Sequence, residues 1–271
     1  MTPDLLTHTV PAAEGEAESR RLPPGLRRAV VLTDSPCSEA QAGWLGAHLC
    51  APPPGLELWA VLTLREESEP TAQAVLERIC AALTAARRPV TLRTLAGDLR
   101  VSLEAMAEVP AALPVLLDEP SGALSRWALR AASGPALLVP GKAPAGAPRV
   151  VVLAESAEQV PLLTAWSALL PPGSAVELVG VPERLAERGA AGYVGLSQLE
   201  AALEQGARRL GRGGLKVTTR LAAGPEEPRG ATLVIRPASR GFLRRWWAGS
   251  AERSLRRAPI PVLTVPCPAA A

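Results

Sequence analysis

Short aliphatic runs bounded by polar or turn-forming residues recur along the chain. The first is Arg28-Ala29-Val30-Val31-Leu32-Thr33-Asp34-Ser35; an unbroken apolar run that stops in polar residues predicts a strand buried on both faces, followed by a loop. Ser38 then offers an N-cap for a helix through Trp44 to Leu49, Pro52-Pro53-Pro54-Gly55 stops it, and Leu56 to Leu64 predicts a second strand. Strand, helix and strand in that order predict a right-handed parallel crossover. Beyond it the pattern predicts a helix over residues 71–88, a strand over 90–95, a helix over 99–109 and a strand over 113–117.

The pattern then repeats. Val30-Val31-Leu32-Thr33-Asp34-Ser35 returns as Val151-Val152-Leu153-Ala154-Glu155-Ser156, and each is followed by a helical Trp, Trp44 and Trp166. Both helices end in Pro-Pro-Gly before a second apolar strand, Leu56-Glu57-Leu58 in one case and Val176-Glu177-Leu178 in the other. The closing segments also match: Pro135-Ala136-Leu137-Leu138-Val139-Pro140 against Pro261-Val262-Leu263-Thr264-Val265-Pro266. Two tandem copies of one α/β unit are therefore expected. Residues 1–25 read as a mobile tail, 26–140 as the first unit, 141–148 as a Pro/Gly/Ala-rich linker and 149–268 as the second unit. In the second, residues 196–210 predict a helix, 215–221 a strand and 231–235 another strand. The Gly224-Pro225-Glu226-Glu227-Pro228-Arg229-Gly230 stretch between those strands is too short and proline-rich for the helix expected there.

Composition narrows the class. With 48% hydrophobic and 20% charged residues the chain can bury a sizeable core. Only 3% is aromatic, so that core is built from Leu, Val and Ala. Lys occurs only at Lys142 and Lys216, and a net charge of +3 does not imply a nucleic-acid partner. No apolar run approaches the roughly 18 residues of a membrane helix, and Met1-Thr2-Pro3-Asp4-Leu5-Leu6 lacks a signal peptide's pattern. A soluble, cytoplasmic protein is expected. Cys37, Cys50, Cys80 and Cys267 form no C-x-x-C pair, and His8 and His48 lie far apart. A metal cluster, a redox pair or a Cys/His catalytic unit is not supported. His48, on an Ala/Leu-rich helix, reads as a capped or half-buried histidine.

Few motifs remain. Gly134 to Gly141 has the wrong spacing for a Walker A loop, and Lys142 is followed by Ala143. Gly189, Gly192 and Gly195 read as a flexible loop leading into the helix at Leu196. Seven arginines between Arg236 and Arg257, against the single acid Glu252 and beside Trp246 and Trp247, read as a solvated helix face before a nucleic-acid surface.

That same segment contains Gly249-Ser250-Ala251-Glu252-Arg253, Arg256-Arg257-Ala258-Pro259 and a final Pro-Val-Leu-Thr-Val-Pro strand. Here the sequence resembles the universal stress protein family. The resemblance implies α/β units with open parallel sheets, of the adenine nucleotide alpha hydrolase-like type, paired through their final strands as an internal pseudo-dimer. It further implies an adenine nucleotide site at Gly249 and Ser250, with Ser239 and Arg236 at two positions where the family has glycines, and Arg240 beside them. Glu155 and, in the first unit, Asp34 stand at the acidic position near which the family holds adenine. In the first unit Asp118 and Glu119 lie where the phosphate loop has been largely deleted, and Asp34 also reads as a helix-capping carboxylate.

The chemistry of such a site does not depend on the family. Glycine lets backbone N–H groups approach a phosphate, and Gly249-Ser250 at a helix start adds unpaired amides and a hydroxyl. Arg236 and Arg240 add charge-assisted contacts, or Arg236 fills the phosphate site and closes it. The expected function is that of a stress-associated regulatory protein, not an enzyme, binding an adenine nucleotide in the second unit, with no metal and no membrane. A ligand-free scaffold for a protein partner or homodimer is the alternative. A weak nucleotide hydrolase ranks below both, because no general base is evident beside Gly249-Ser250.

Overall fold

A computed structural model describes residues 26–33, 38–48, 57–64, 77, 81, 90–96, 112–117, 134–181, 190–222, 230–237 and 260–267. The aliphatic runs form strands β1 (Arg28–Thr33), β2 (Glu57–Leu64), β3 (Val90–Ala96), β4 (Ala112–Leu117) and β5 (Ala136–Val139). After them come β6 (Arg149–Ala154), β7 (Ala175–Gly180), β8 (Lys216–Leu221), β9 (Leu233–Pro237) and β10 (Val262–Val265). Helix α1 (Glu39–His48) joins β1 to β2. Helix α2 (Gln159–Ala165) tightens into a 3-10 turn at Trp166–Leu169 before β7, and α3 (Ala190–Arg212) leads to β8.

The strands make one ten-stranded sheet in the order β3-β2-β1-β4-β5-β10-β9-β6-β7-β8. Read inward from either edge the order is third, second, first, fourth, fifth. Every pairing is parallel except the central one, where β10 runs antiparallel to β5 with Val262 opposite Leu138 and Thr264 opposite Ala136. The Thr264 hydroxyl donates to the Ala136 carbonyl across this seam at 3.1 Å. The fold is thus an α/β fold with open parallel halves.

Alternation along the strands sends side chains to two faces. One face carries Ala29, Val31, Val115, Leu137, Val150, Val152, Val176, Leu178 and Ile235, packed against Trp44 and Leu45 of α1, Val160 and Leu163 of α2, and Leu199, Leu203 and Leu210 of α3. The other face carries Val151, Leu153, Val179, Val234 and Val262.

Helix α3 begins at Ala190, earlier than the sequence suggests, so Gly192 and Gly195 lie within its opening turns and not in a loop. Leu199, Leu203 and Leu210 recur at helical spacing and are buried on the sheet; that packing outweighs the low helix propensity of the glycines. At the end of β7, a Cβ on Gly180 would stand 2.6 Å from Leu221 Cδ2, 3.0 Å from Leu199 Cδ2 and 3.1 Å from Leu203 Cδ1. Gly180→Ala is therefore expected to lower stability by about 1–2 kcal/mol. A urea titration checks this; an unchanged midpoint would mean that the three leucines give way without cost.

Helix α1 also reaches over the seam. Its N-terminus is a reciprocal cap, with Gln41 N–H donating to Ser38 Oγ at 3.1 Å and Ser38 N–H donating to Gln41 Oε1 at 2.9 Å. Ser38 Oγ also donates to the Gly141 carbonyl at 2.6 Å, and Gln41 Nε2 to the Val139 carbonyl at 2.9 Å. The connection at 141–148 is tied down, with Ala143 buried and its N–H bonded to the Pro140 carbonyl at 3.0 Å. Among the described residues no helix is long and apolar enough to cross a membrane. The tail over 1–25, the helix expected over 71–88 apart from its helical residues 77 and 81, the helix expected over 99–109, the first-unit segment over 118–132, the 224–229 connection and the arginine-rich run from 240 to 257 lie outside the described residues.

Candidate functional site

In an open parallel sheet the ligand crevice lies at the carboxyl ends of the strands, where the strand order reverses. In the second half that point falls between β6 and β9, which pair with Val152 beside Ile235. The chain leaves β6 at Glu155 and β9 ends at Arg236 and Pro237. The sheet therefore brings two of the residues singled out in the sequence, Glu155 and Arg236, to the ends of neighbouring strands. Asp34, Ser239, Arg240, Gly249 and Ser250 lie outside the described residues. The carboxyl end of β1, which precedes Asp34, belongs to the opposite edge of the sheet, because the two halves run antiparallel across the seam.

Arg236 is the most unusual side chain of this edge. It aligns with Thr264 on β10 and, by alternation, shares the face of Val234 and Val262, away from α1, α2 and α3. It is only 1% exposed, among the largest fully buried side chains described. Burial pulls its guanidinium down to about 10, so it keeps its charge at neutral pH. A buried charge is costly unless an anion or several acceptors face it, which makes this strand end a place built around a cation.

The loop after β6 is held by Gln159, a buried side chain at the start of α2 whose Oε1 accepts the Glu155 N–H at 2.9 Å. Ser156 Oγ is buried and has no hydrogen-bond partner among the described residues. Beyond β10, Cys267 packs on the core, and burial followed by the charge of Glu155 pushes its thiol up to about 11. A thiol held protonated in this way is a poor nucleophile. Glu155, Arg236 and Cys267 thus lie at or just beyond the carboxyl ends of three adjacent strands, β6, β9 and β10. Sequence reading passed over Cys267, and the signal that finds it is the sheet order, which puts the residues after β10 next to those after β9. Among the described residues no group of three or more His, Cys, Asp or Glu could hold a metal ion.

No family model matches the chain. No curated protein matches it either. Among solved structures it is similar to a universal stress protein from Archaeoglobus fulgidus DSM 4304, with a TM-score of 0.52 and 17% identity over 88% of this chain and 96% of that one. A likeness at that identity establishes the fold: the chain has the α/β architecture of a universal stress protein.

Proposed function

We propose that this chain is a nonenzymatic regulatory protein of the universal stress type, built of two tandem units, and that its second half binds an adenine nucleotide across the ends of β6 and β9. The observation that carries the reading is Arg236. A guanidinium that keeps its charge while buried at the strand-order reversal suits a negatively charged ligand. Gly249 and Ser250 would supply backbone amides and a hydroxyl to the phosphates, and Glu155 a carboxylate at the adenine end.

The near-complete burial of Arg236 favours a second reading, in which the side chain itself fills the phosphate place and the protein acts as a scaffold for a protein partner. Titration with a fluorescent ATP analogue separates the two. Saturable binding that Gly249→Asp abolishes is the expected result. Arg236→Gly should weaken that binding about tenfold, equivalent to about 1.4 kcal/mol, if the guanidinium contacts phosphate. Tighter binding in Arg236→Gly, with none in the native protein at roughly millimolar ligand, would establish the blocked site and leave the scaffold. Turnover of ATP above a Ser250→Ala control would overturn the nonenzymatic reading.

A further inference from the structure

The face of α1 that crosses the seam carries a second set of buried polar groups. Trp44 Nε1 donates to the Thr232 carbonyl at 2.7 Å, and His48 Nε2 meets Thr232 Oγ1 at 2.7 Å. His48 Nδ1 lies 3.1 Å from the Trp44 carbonyl. The two rings stack with centroids 4.3 Å apart and planes 10° from parallel. Thr232 stands in the turn that leads into β9 and is bonded to the start of β6: its N–H donates to the Arg149 carbonyl at 2.8 Å, and its hydroxyl accepts the Arg149 N–H at 2.9 Å.

The partners fix the protonation state. A carbonyl only accepts, so Nδ1 carries the proton and donates to Trp44. Nε2 is then bare and accepts the Thr232 hydroxyl proton. Adding a second proton turns Nε2 into a donor aimed at Thr232 Oγ1. That hydroxyl can rotate to donate to the Arg149 carbonyl at 3.2 Å, so geometry alone does not expel the ring. Solvation does: an imidazolium here would be buried against one carbonyl, one hydroxyl and an indole face. Around it, α1 carries the charged residue Glu39, the 141–148 connection Lys142, and the start of β6 Arg149, which meets Thr232 through its main chain. The causes of the depressed His48 basicity are burial first, opposed by the Trp44 carbonyl; no carboxylate is among them.

We propose that α1 is an acid-released latch on the turn before β9: protonation of His48 frees Thr232 and loosens β9, while β6 and β7 stay paired. β9 is short, spanning only Leu233–Pro237, and Arg236 sits close to its end. Opening the turn therefore transmits directly to the strand that carries the buried cation.

Hydrogen exchange of the full chain across a pH series, corrected for the intrinsic rate at each pH, tests this. Between about pH 7 and pH 4, peptides covering 230–237 are expected to exchange at least roughly tenfold faster, while those covering 175–180 keep their protection. His48→Gln, which can accept the Thr232 hydroxyl without titrating, should abolish that pH dependence. Thr232→Val removes the hydroxyl and should expose 230–237 already at neutral pH. Loss of protection over 175–180 at the same pH as 230–237 would overturn the latch in favour of global unfolding. Unaltered protection of 230–237 in the native protein at acid pH, an undiminished pH response in His48→Gln, or full protection in Thr232→Val at neutral pH would each overturn it as well.

Discussion

Trp44→Ala is expected to cost about 3–5 kcal/mol of stability, the range for removing a large buried aromatic side chain. The indole is 1% exposed and packs in the core beneath α1, so its removal leaves a cavity that the stiff sheet cannot close. Two further losses add to it. The Thr232 carbonyl forfeits its indole donor, and His48 its stacking partner. In a chain of this size the melting temperature should fall by roughly 10 °C. Trp44→Phe keeps most of the volume and removes the donor, so it should recover more than half of the loss. Differential scanning calorimetry of the two variants reads both; a Trp44→Ala protein within about 1 kcal/mol of the native one would show that α1 does not anchor the seam.

Acid should destabilise the fold through His48. Burial holds its basicity at about 4, against the ordinary 6.5. Between those values the unfolded chain binds a proton that the folded chain refuses, so stability falls as pH falls through this window and the loss is complete below about pH 4. A shift of that size corresponds to about 3 kcal/mol. Urea titrations at a series of pH values should show the loss in the native protein and its absence in His48→Gln, whose stability should stay level over the same window apart from carboxylate titration common to both. Parallel curves for the two proteins would refute the assignment.

Much of the fold is legible in the sequence because its strands are uninterrupted aliphatic runs. A run such as Val30-Val31-Leu32 suits only the interior of a sheet covered on both sides, and its return at Val151-Val152-Leu153 announces the second set of strands. Predicted strand boundaries fall within one or two residues of those observed at β1, β2, β3, β4, β8 and β9. The start of α3 differs from the sequence pattern because local propensity speaks for the glycines alone, while the burial of Leu199 and Leu203 decides the outcome.

The candidate site was legible in part. Glu155 and Arg236 reach adjacent strand ends because each ends a recognisable strand. The contact between His48 and Thr232 was not legible at all: it joins residues 184 positions apart and exists only where α1 meets the turn before β9. Nothing local marks Thr232, a threonine next to a strand, as the partner of two side chains from another part of the chain, its carbonyl accepting from Trp44 and its hydroxyl donating to His48. The burial of Arg236 was one of two readings open in the sequence, since an arginine at a strand end is ordinarily solvated and only the packed sheet decides between a contact to ligand and a filled site.

The position of β10 bears on how the protein comes to be made. It lies between β5 and β9 and, among the described residues, supplies the only strand pairing that joins the two halves of the sheet. During synthesis the first nine strands emerge before residues 262–265 exist, leaving the edges of β5 and β9 open to other chains. Closure of the sheet therefore waits for residues 262–265. A ribosome that stops shortly before them would release a chain with two bare edges at what should be its centre, a species prone to associate with its own kind.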